Sequence, residues 1–310
     1  MRTQLTPRDL ALTLTIVTLW GFAFVPIKSA LEEVPPFMLA ALRFLFAALP
    51  AVFFIAPPAM PWRMIAAYGS AIGVLQYGLM FLGMQLGMPA GLSSLVMQLQ
   101  VYFTIGLAVA FAGDRLHRWN VLGALIALAG VAVLGLAKVA VGASAPLIGF
   151  LLMIAAAFAW GTGNVIAKRA AGADMLALVV WSSLLASPVL MLVSFVTEGG
   201  AGAFRSVVHA SWTTWAAVLF LAWGATLFGF SVWNRLLHRY PAPLITPFAL
   251  LIPISGLASG AILLGERLSL MQFAGVALVF AGLAVNVYGP RALAVLGRAA
   301  ISRSRGDDGL

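Results

Sequence analysis

Ten apolar stretches, each about 20 residues long, make up most of this chain. Hydrophobic residues account for 63% of its 310 residues and charged residues for 9%, whereas a soluble domain carries roughly 25% charged residues. A helix of about 20 apolar residues crosses the ~30 Å hydrocarbon core of a membrane. The stretches lack the alternating polarity of a membrane-spanning barrel. The sequence therefore predicts an all-α integral membrane protein with ten transmembrane helices, at about 10–30, 36–56, 62–86, 89–112, 119–138, 147–168, 174–197, 212–236, 241–264 and 269–289.

The two halves of the chain repeat each other. Gly113-Asp114-Arg115-Leu116 heads one apolar run, and Gly265-Glu266-Arg267-Leu268 heads another 152 residues further on. Trp20-Gly21 in the first half likewise corresponds to Trp160-Gly161 in the second. Because five is an odd number of crossings, we expect two inverted five-helix repeats around a central cavity. The predicted boundaries are 1–138 for the first repeat, 139–146 for a linker, 147–290 for the second repeat and 291–310 for a basic cytoplasmic tail.

The basic residues are distributed unevenly between the loops. With the N-terminus inside, thirteen of the 18 lysines and arginines fall on the cytoplasmic side and four outside, while Arg43 lies within a span. This bias follows the positive-inside rule, so both termini are predicted to be cytoplasmic. The formal net charge of +9 is then explained by topology and contact with membrane lipid, and we expect no nucleic-acid partner.

Several short motifs occur in a characteristic order. Trp20-Gly21 lies in the first predicted helix, Pro35 precedes Ala41-Leu42-Arg43-Phe44 in the second, and the two Gly-acid-Arg-Leu turns follow the fourth and ninth. In this order the chain resembles the drug/metabolite transporter superfamily, in its ten-helix branch with two EamA-type units. Within that branch it is similar to the inner-membrane exporters of aromatic and other neutral amino acids. The resemblance implies inner-membrane residence, alternating access and efflux of small molecules. We expect the protein to be a monomer.

Polar and aromatic side chains within the predicted spans are candidates for the substrate path, because polar groups in hydrocarbon are costly. The alternative is that the amides and hydroxyls bond between helices and that the indole rings fill the core. Tryptophans that lie too deep to anchor at the membrane surface join the set as possible cavity walls. The predicted substrate-binding residues are Trp20, Gln76, Tyr77, Gln98, Tyr102, Trp160, Asn164, Trp181 and Trp223.

A second group of residues is predicted to act in gating or as hinges. Pro26, Pro247 and Pro253 remove backbone hydrogen bonds within helices, so kinks are expected there. Arg43 either caps carbonyls or reaches toward a surface, or else it holds a carboxylate. Lys28, near the end of the first helix, either binds an anionic group during release or interacts with that helix end and Glu32.

Acidic residues and histidines fall in loops, helix ends and tails, so the sequence contains no mid-membrane proton carrier. We therefore expect transport without obligatory proton coupling, and no metal or cofactor. The leading hypothesis is an exporter of small neutral solutes, with aromatic and other neutral amino acids first. Export of nucleobases, nucleosides or drugs remains an alternative. A membrane-embedded transferase is disfavoured because clusters of the HxxxD, DDxxD and HExxH types are missing.

Overall fold

The computed structural model describes residues 5–112, 118–139, 144–169, 174–240 and 242–307. It contains ten helices long and apolar enough to cross a membrane, as the sequence predicted. The first Gly-acid-Arg-Leu turn, the middle of the predicted linker and the last three residues lie outside the described ranges. The spans are α1 Pro7–Ala30, α2 Pro36–Phe53, α3 Trp62–Gln85, α4 Ala90–Phe111, α5 Arg118–Ala137, α6 Leu147–Arg169, α7 Met175–Thr197, α8 Trp212–Trp233, α9 Pro247–Leu264 and α10 Leu270–Gly289.

The helices begin where the sequence provides a cap or a proline. Thr6 precedes α1 and accepts a hydrogen bond from the Asp9 N–H at 3.2 Å. Asp174 caps α7 by accepting from the Leu176 N–H at 2.8 Å. These caps satisfy donors that have no partner within their own helix. At the other end of the chain, the helix that forms α10 continues beyond the apolar span to Asp307, through the predicted basic tail.

The last helices of the two halves, α5 and α10, pack closely through glycines. A Cβ atom on Gly123 would lie 2.7 Å from the Gly282 carbonyl oxygen, and one on Gly130 would lie 2.7 Å from the Gly275 carbonyl oxygen. Gly123 and Gly275 are equivalent in the sequence repeat, as are Gly130 and Gly282. Each of the two glycines on α5 therefore faces the repeat counterpart of the other one, in a symmetric crossing with the close approach that small residues permit in membranes.

Replacing Gly130 by alanine is expected to destabilise the protein by about 1–3 kcal/mol, because the new methyl group overlaps the α10 backbone. Gly106→Ala in α4 is the matched control, since nothing lies within 4 Å of a Cβ atom there. Alanine favours a helix by up to about 1 kcal/mol over glycine, so the control stays neutral or gains stability. Thermal unfolding of both variants in detergent tests this. Equal melting temperatures would contradict close packing at this crossing.

The third helix of each half carries a π-helical segment. In α3 it spans Gly69–Gln76, and in α8 it spans Phe220–Phe228. The alignment of Gly73 and Gly78 with Gly224 and Gly229 places the two segments at equivalent positions. A π segment adds a residue to a helical turn and is found preferentially at functional sites. Both segments lie well inside their spans, away from the helix ends.

Proline interrupts α1 and the start of α9. In α1 the helix is broken at Ala23, between the segments Pro7–Phe22 and Phe24–Ala30, and Pro26 is placed to cause this because it lacks an N–H for the Phe22 carbonyl. In α9, Pro247 lies in the 3₁₀ segment Thr246–Leu250. The residues Leu251–Leu264, which include Pro253, then form regular helix. The chain therefore departs from regular α-helix beside Pro26 and at Pro247 but continues as helix through Pro253, and movement at any of the three remains a prediction.

Candidate functional site

Arg43 in α2 is a buried cation within the bundle, with only 3% of its surface exposed. Its Nη2 donates hydrogen bonds to the Tyr77 hydroxyl at 2.9 Å and to the Thr226 hydroxyl at 3.0 Å. Its Nε is buried and has no hydrogen-bond partner in the described part of the chain. The guanidinium therefore retains unused donor capacity in a place where hydrogen-bond donors are costly to leave unpaired.

Aromatic rings enclose the guanidinium. Its central carbon lies 4.0 Å from the centre of the Tyr77 ring and 5.8 Å from that of Phe44. The Tyr77 and Phe44 rings meet edge to face with their centres 5.2 Å apart. Ring faces stabilise a cation without neutralising its charge. The sequence predicted Arg43 and Tyr77 for separate roles, and the structure brings them into direct contact.

Thr226 was not predicted from the sequence. It lies in the π segment of α8 and is 1% exposed. Its hydroxyl donates to the Leu221 carbonyl, five residues earlier, at 2.8 Å, and accepts from Arg43. The sequence feature that could have identified Thr226 is its position as a hydroxyl residue in the middle of an apolar span. The Arg43–Thr226 hydrogen bond joins the first half of the chain to the second.

A cavity adjoins this cluster and extends between α2, α3, α7 and α8. Its space admits about one water molecule, so in this conformation it is contracted around its lining. A solute the size of an amino acid needs a rearrangement of these helices in order to enter. The lining residues are Arg43, Phe44, Tyr68, Ile72, Gly73, Tyr77, Val179, Ser182, Ser183, Thr226 and Phe230.

The four predicted tryptophans occupy different positions around this region. Trp20 donates from its indole N–H to the Ala225 carbonyl at 2.8 Å, directly beside Thr226. Trp160 packs against the apolar cluster that contains Ile72 and Tyr68 of the cavity lining. These two are therefore neighbours of the cavity rather than members of its lining.

Trp181 and Trp223 bond to α2 and the turn after it. Trp181 donates to the Ile55 carbonyl at 2.9 Å, and Trp223 donates to the Phe46 carbonyl at 3.0 Å. Trp223 is 46% exposed on the outside of the bundle. Trp223 joins α8 to α2, and Trp181 joins α7 to the turn that follows α2. Contact of either residue with substrate remains a prediction.

The predicted polar residues of α3, α4 and α6 fall into two kinds. Asn164 donates to the Gln100 side-chain oxygen at 2.7 Å and to the Thr104 hydroxyl at 3.0 Å, so it joins α6 to α4. Gln76 Oε1 and the Tyr102 hydroxyl are buried and lack partners among the described residues. Gln98 is buried in α4. Gln76 and Tyr102 therefore keep the stronger case for contact with a polar solute or water.

Lys28 has a structural partner. Its ammonium group donates to the Met84 carbonyl at 2.7 Å, in the last turn of α3. A cation is favourable at the carbonyl end of a helix, where acceptors have no partner within that helix. The sequence predicted, as one alternative, that Lys28 interacts with the end of its own helix, α1. In the structure it makes this kind of contact with the end of α3 instead. A part in substrate release remains a prediction.

Three glutamates close one end of the bundle, which we call the glutamate face and define by Glu33, Glu198 and Glu266. Each accepts backbone N–H bonds at the start of a helix in the opposite half of the chain. Glu198 caps α2 through Phe37 at 2.8 Å and Met38 at 3.1 Å. Glu266 caps α4 through Ala90 and Gly91, and Glu33 accepts from the Ser211 N–H before α8 at 2.6 Å. Carboxylates are stabilising at helix N-termini, so these contacts hold the halves together at this face.

The Glu33 contact predicts a pH dependence. Hydrogen bonds from the Ser211 N–H and hydroxyl hold the pKa of the Glu33 carboxyl below its usual value. Its stabilising effect is therefore complete above the pKa of the unfolded chain and is lost as the pH falls through the lower folded-state pKa. We expect Glu33→Gln to lower the melting temperature at pH 7 and the difference from the unsubstituted protein to vanish in strong acid. Glu32→Gln is the neighbouring control, and a difference for Glu33→Gln that does not change with pH would contradict this contact.

The opposite end of the bundle has a smaller polar cluster. Asp9 pairs with Arg239 at 3.1 Å and accepts a hydrogen bond from the Tyr240 hydroxyl at 2.6 Å. This cluster joins the start of α1 to the end of the helical residues Gly229–Arg239. The described residues contain no group of three or more potential metal-ligating acids or histidines.

Ionisable groups buried within membrane spans usually mark a transport pathway, so a ten-helix bundle with a buried cation beside a small interior cavity indicates a membrane transport protein. The EamA-like transporter family matches residues 9–136 and 147–288. The chain belongs to this family, as the sequence motifs predicted, and it is a transporter rather than an enzyme.

Relatives and one solved structure extend over nearly all of the chain. It is 40% identical over 288 residues to the "Probable amino-acid metabolite efflux pump" of Escherichia coli K12, covering 92% of this chain and 96% of that protein. The protein of the same name from Salmonella typhimurium is 41% identical over the same coverage. The "Uncharacterized inner membrane transporter YedA" of Escherichia coli K12 is 25% identical and covers 84% of each chain. A crystal structure with a TM-score of 0.60 and 22% identity covers 92% of this chain and 99% of its own, and shares the fold.

Proposed function

We propose that this protein exports small neutral amino acids, with aromatic ones preferred, from the cytoplasm. The observation that carries the proposal is the cavity at Arg43, Tyr77 and Thr226, where polar groups from both halves meet inside an apolar bundle. The aromatic rings of Phe44, Tyr77 and Phe230 on its lining suit a substrate with a flat apolar side chain. The two relatives named as amino-acid metabolite efflux pumps support the same substrate class and direction.

Alternating access between two inverted halves is the proposed mechanism. Gly149, early in α6, lies against the Gly83 carbonyl near the end of α3, whereas α1 begins beside Tyr240 at the other end of the bundle. The first helix of each half therefore starts at a different face, which supports inverted repeats. The π segments in α3 and α8 provide equivalent places for bending. In this cycle the glutamate face opens and closes while the cavity expands and contracts.

The proposed location is the inner membrane, with a monomer whose termini are both cytoplasmic and whose glutamate face points outward. The excess of basic residues in the loops and tails on the same membrane side as the N-terminus supports this orientation. We expect a reporter enzyme active only outside the cytoplasm to be inactive when fused after Leu310 and active when inserted after Gly202, in the connecting helix Ala201–His209. The reverse pattern would invert the proposed topology.

Proton coupling is not part of the proposed mechanism. In the described ranges, every carboxylate whose side chain is placed lies in the first turn of a helix or in a turn between helices. Asp9, Glu33, Glu198 and Glu266 are each engaged in structural contacts. Transport down the concentration gradient of an accumulated amino acid requires no further carrier group.

Cells that hydrolyse an imported dipeptide test the proposed function. Feeding alanyl-phenylalanine raises internal phenylalanine, and we expect cells that produce this protein to release phenylalanine into the medium faster than cells with an empty vector. The amount of protein in the membrane is measured in parallel. Equal release from both strains, with the protein present in the membrane, would contradict amino-acid export and turn attention to nucleobases or drugs.

A further inference from the structure

We propose that Arg43 binds the carboxylate of the transported molecule, so that a carboxylate is required for recognition. This inference rests on the proposed function, which it makes more specific. In this inference Arg43, on α2, selects the substrate class. The hydrogen bond between Arg43 and Thr226 couples substrate binding to the second half of the chain.

The first support is the charge of Arg43 in its surroundings. In the described part of the chain, no ion pair joins Arg43 to an acidic side chain, and the Asp9–Arg239 pair lies at the start of α1. The partners of the guanidinium are two hydroxyls and two aromatic rings, all of them neutral. Burying a cation without an anion is costly, and ionisable groups inside a membrane bundle usually pair with one another or serve a pathway. An incoming carboxylate supplies the missing negative charge.

The second support is the remaining hydrogen-bonding capacity of the guanidinium. Nη2 makes both recorded bonds, while Nε is buried and unpartnered among the described residues. A carboxylate binds an arginine through two parallel N–H groups, and the Nε side of the fork is one of the edges suited to this. A chloride or phosphate ion would meet the same charge, but the aromatic lining favours a carboxylate attached to an apolar group once the helices have rearranged to admit it.

The cavity also has hydrogen-bond acceptors for the ammonium group of an amino-acid zwitterion. Ser182 and Ser183 on α7 line it, and both hydroxyls donate to the Val179 carbonyl, at 3.1 Å and 2.6 Å. With its hydrogen committed in this way, each hydroxyl oxygen acts toward the cavity as an acceptor. An ammonium group is a donor only, so it complements these oxygens without any buried acid.

Binding at Arg43 changes the contact between the halves. Arg43 and Tyr77 belong to the first half, and Thr226 belongs to the π segment of the second. A carboxylate that takes the Nη2 donor competes with Thr226, which keeps its own bond to the Leu221 carbonyl. Occupancy therefore loosens the join between α2 and α8 at the point where α8 departs from regular helix. This links recognition of the carboxylate to movement of α8.

Thermal unfolding of the purified full-length protein tests the inference without requiring transport. The probes are phenylalanine, phenylalaninamide and 3-phenylpropanoate, each titrated against the unsubstituted protein, Arg43→Gln and Arg205→Gln. Arg205 is an exposed arginine on the connecting helix, so its variant controls for loss of a positive charge. We expect phenylalanine and 3-phenylpropanoate, which carry a carboxylate, to raise the melting temperature of the unsubstituted protein and of Arg205→Gln. The apparent affinities of these two proteins for both probes should be at least about 30-fold higher than those of Arg43→Gln.

The outcomes separate this inference from the proposed function. Stabilisation by phenylalaninamide equal to that by phenylalanine, equal stabilisation of Arg43→Gln, or no stabilisation by any carboxylate would overturn the carboxylate site. Exchange of radiolabelled phenylalanine in liposomes is measured alongside. Carboxylate binding that depends on Arg43 without phenylalanine exchange would support the site and reject amino-acid export. Exchange of phenylalanine and phenylalaninamide at equal rates would support transport and reject the site.

Discussion

Replacing Arg43 by methionine is expected to abolish amino-acid exchange while leaving the protein folded. Removing one partner of a buried, hydrogen-bonded charge pair costs about 2–5 kcal/mol, which corresponds to a loss of roughly 30-fold or more. The stability of the protein without substrate is expected to be nearly unchanged, because removing a buried cation that has no anion removes its desolvation cost and offsets the loss of its hydrogen bonds to Tyr77 and Thr226. If Arg43 served only for packing, Arg43→Met would lower the stability of the protein and leave exchange by the folded protein unchanged.

Exchange of radiolabelled phenylalanine and thermal unfolding in detergent together measure this prediction. Arg205→Met removes an exposed arginine and is expected to change neither quantity. Arg43→Lys keeps the charge but loses the planar fork, so it should retain part of the activity. Exchange by Arg43→Met at a rate close to that of the unsubstituted protein would contradict a functional role for this cation. A large loss of stability would indicate that its bonds to Tyr77 and Thr226 are mainly structural.

The second large effect is expected from Glu266→Ala. The Glu266 carboxylate accepts the N–H groups of Ala90 and Gly91, so its removal leaves the start of α4 uncapped and removes these hydrogen bonds to the second half. Hydrogen bonds to charged groups contribute about 1.5–3 kcal/mol each, so opening of the glutamate face should become about tenfold or more favourable. We expect slower exchange as well, because a face that fails to close interrupts the transport cycle.

Cysteine labelling measures this opening directly, since the chain contains no native cysteine. Ser93, one turn into α4, is fully buried, so Ser93→Cys should react slowly with a polar maleimide and about tenfold faster when combined with Glu266→Ala. Asp174→Ala is the matched control, because Asp174 also caps a helix but does so within its own half. Unchanged labelling in the Glu266→Ala background would show that this contact does not hold the face closed.

The ten spans could be predicted because length and apolarity are imposed by the membrane itself. The ninth is the least well predicted, since its apolar run begins at 241 whereas the apolar helix begins at Pro247. A short helical turn, Ala242–Ile245, precedes it. The 3₁₀ segment Thr246–Leu250 forms its first turn, where Pro247 lacks the N–H that regular helix needs. Hydropathy measures how apolar a segment is, but it does not resolve how the segment is wound.

The candidate site was only partly predictable from the sequence. Arg43 stands out as a charge within a span, but its partner Thr226 is an ordinary hydroxyl whose importance depends on the packing of α2 against α8. The π segments add one residue to a turn through tertiary contacts, and residue periodicity does not reveal them. The glutamates of the glutamate face were visible as loop residues, but the helices that they cap lie more than 150 residues away in the chain.

Exchange of radiolabelled phenylalanine across liposomes containing the purified protein tests the central proposal most directly. The measurement is made with unlabelled phenylalanine inside, with and without an imposed pH gradient, and with Arg43→Met as the inactive comparison. We predict protein-dependent exchange at the same rate in both conditions and none above background for Arg43→Met. Absence of exchange by the unsubstituted protein would contradict amino-acid transport, and exchange that requires the pH gradient would contradict transport without proton coupling.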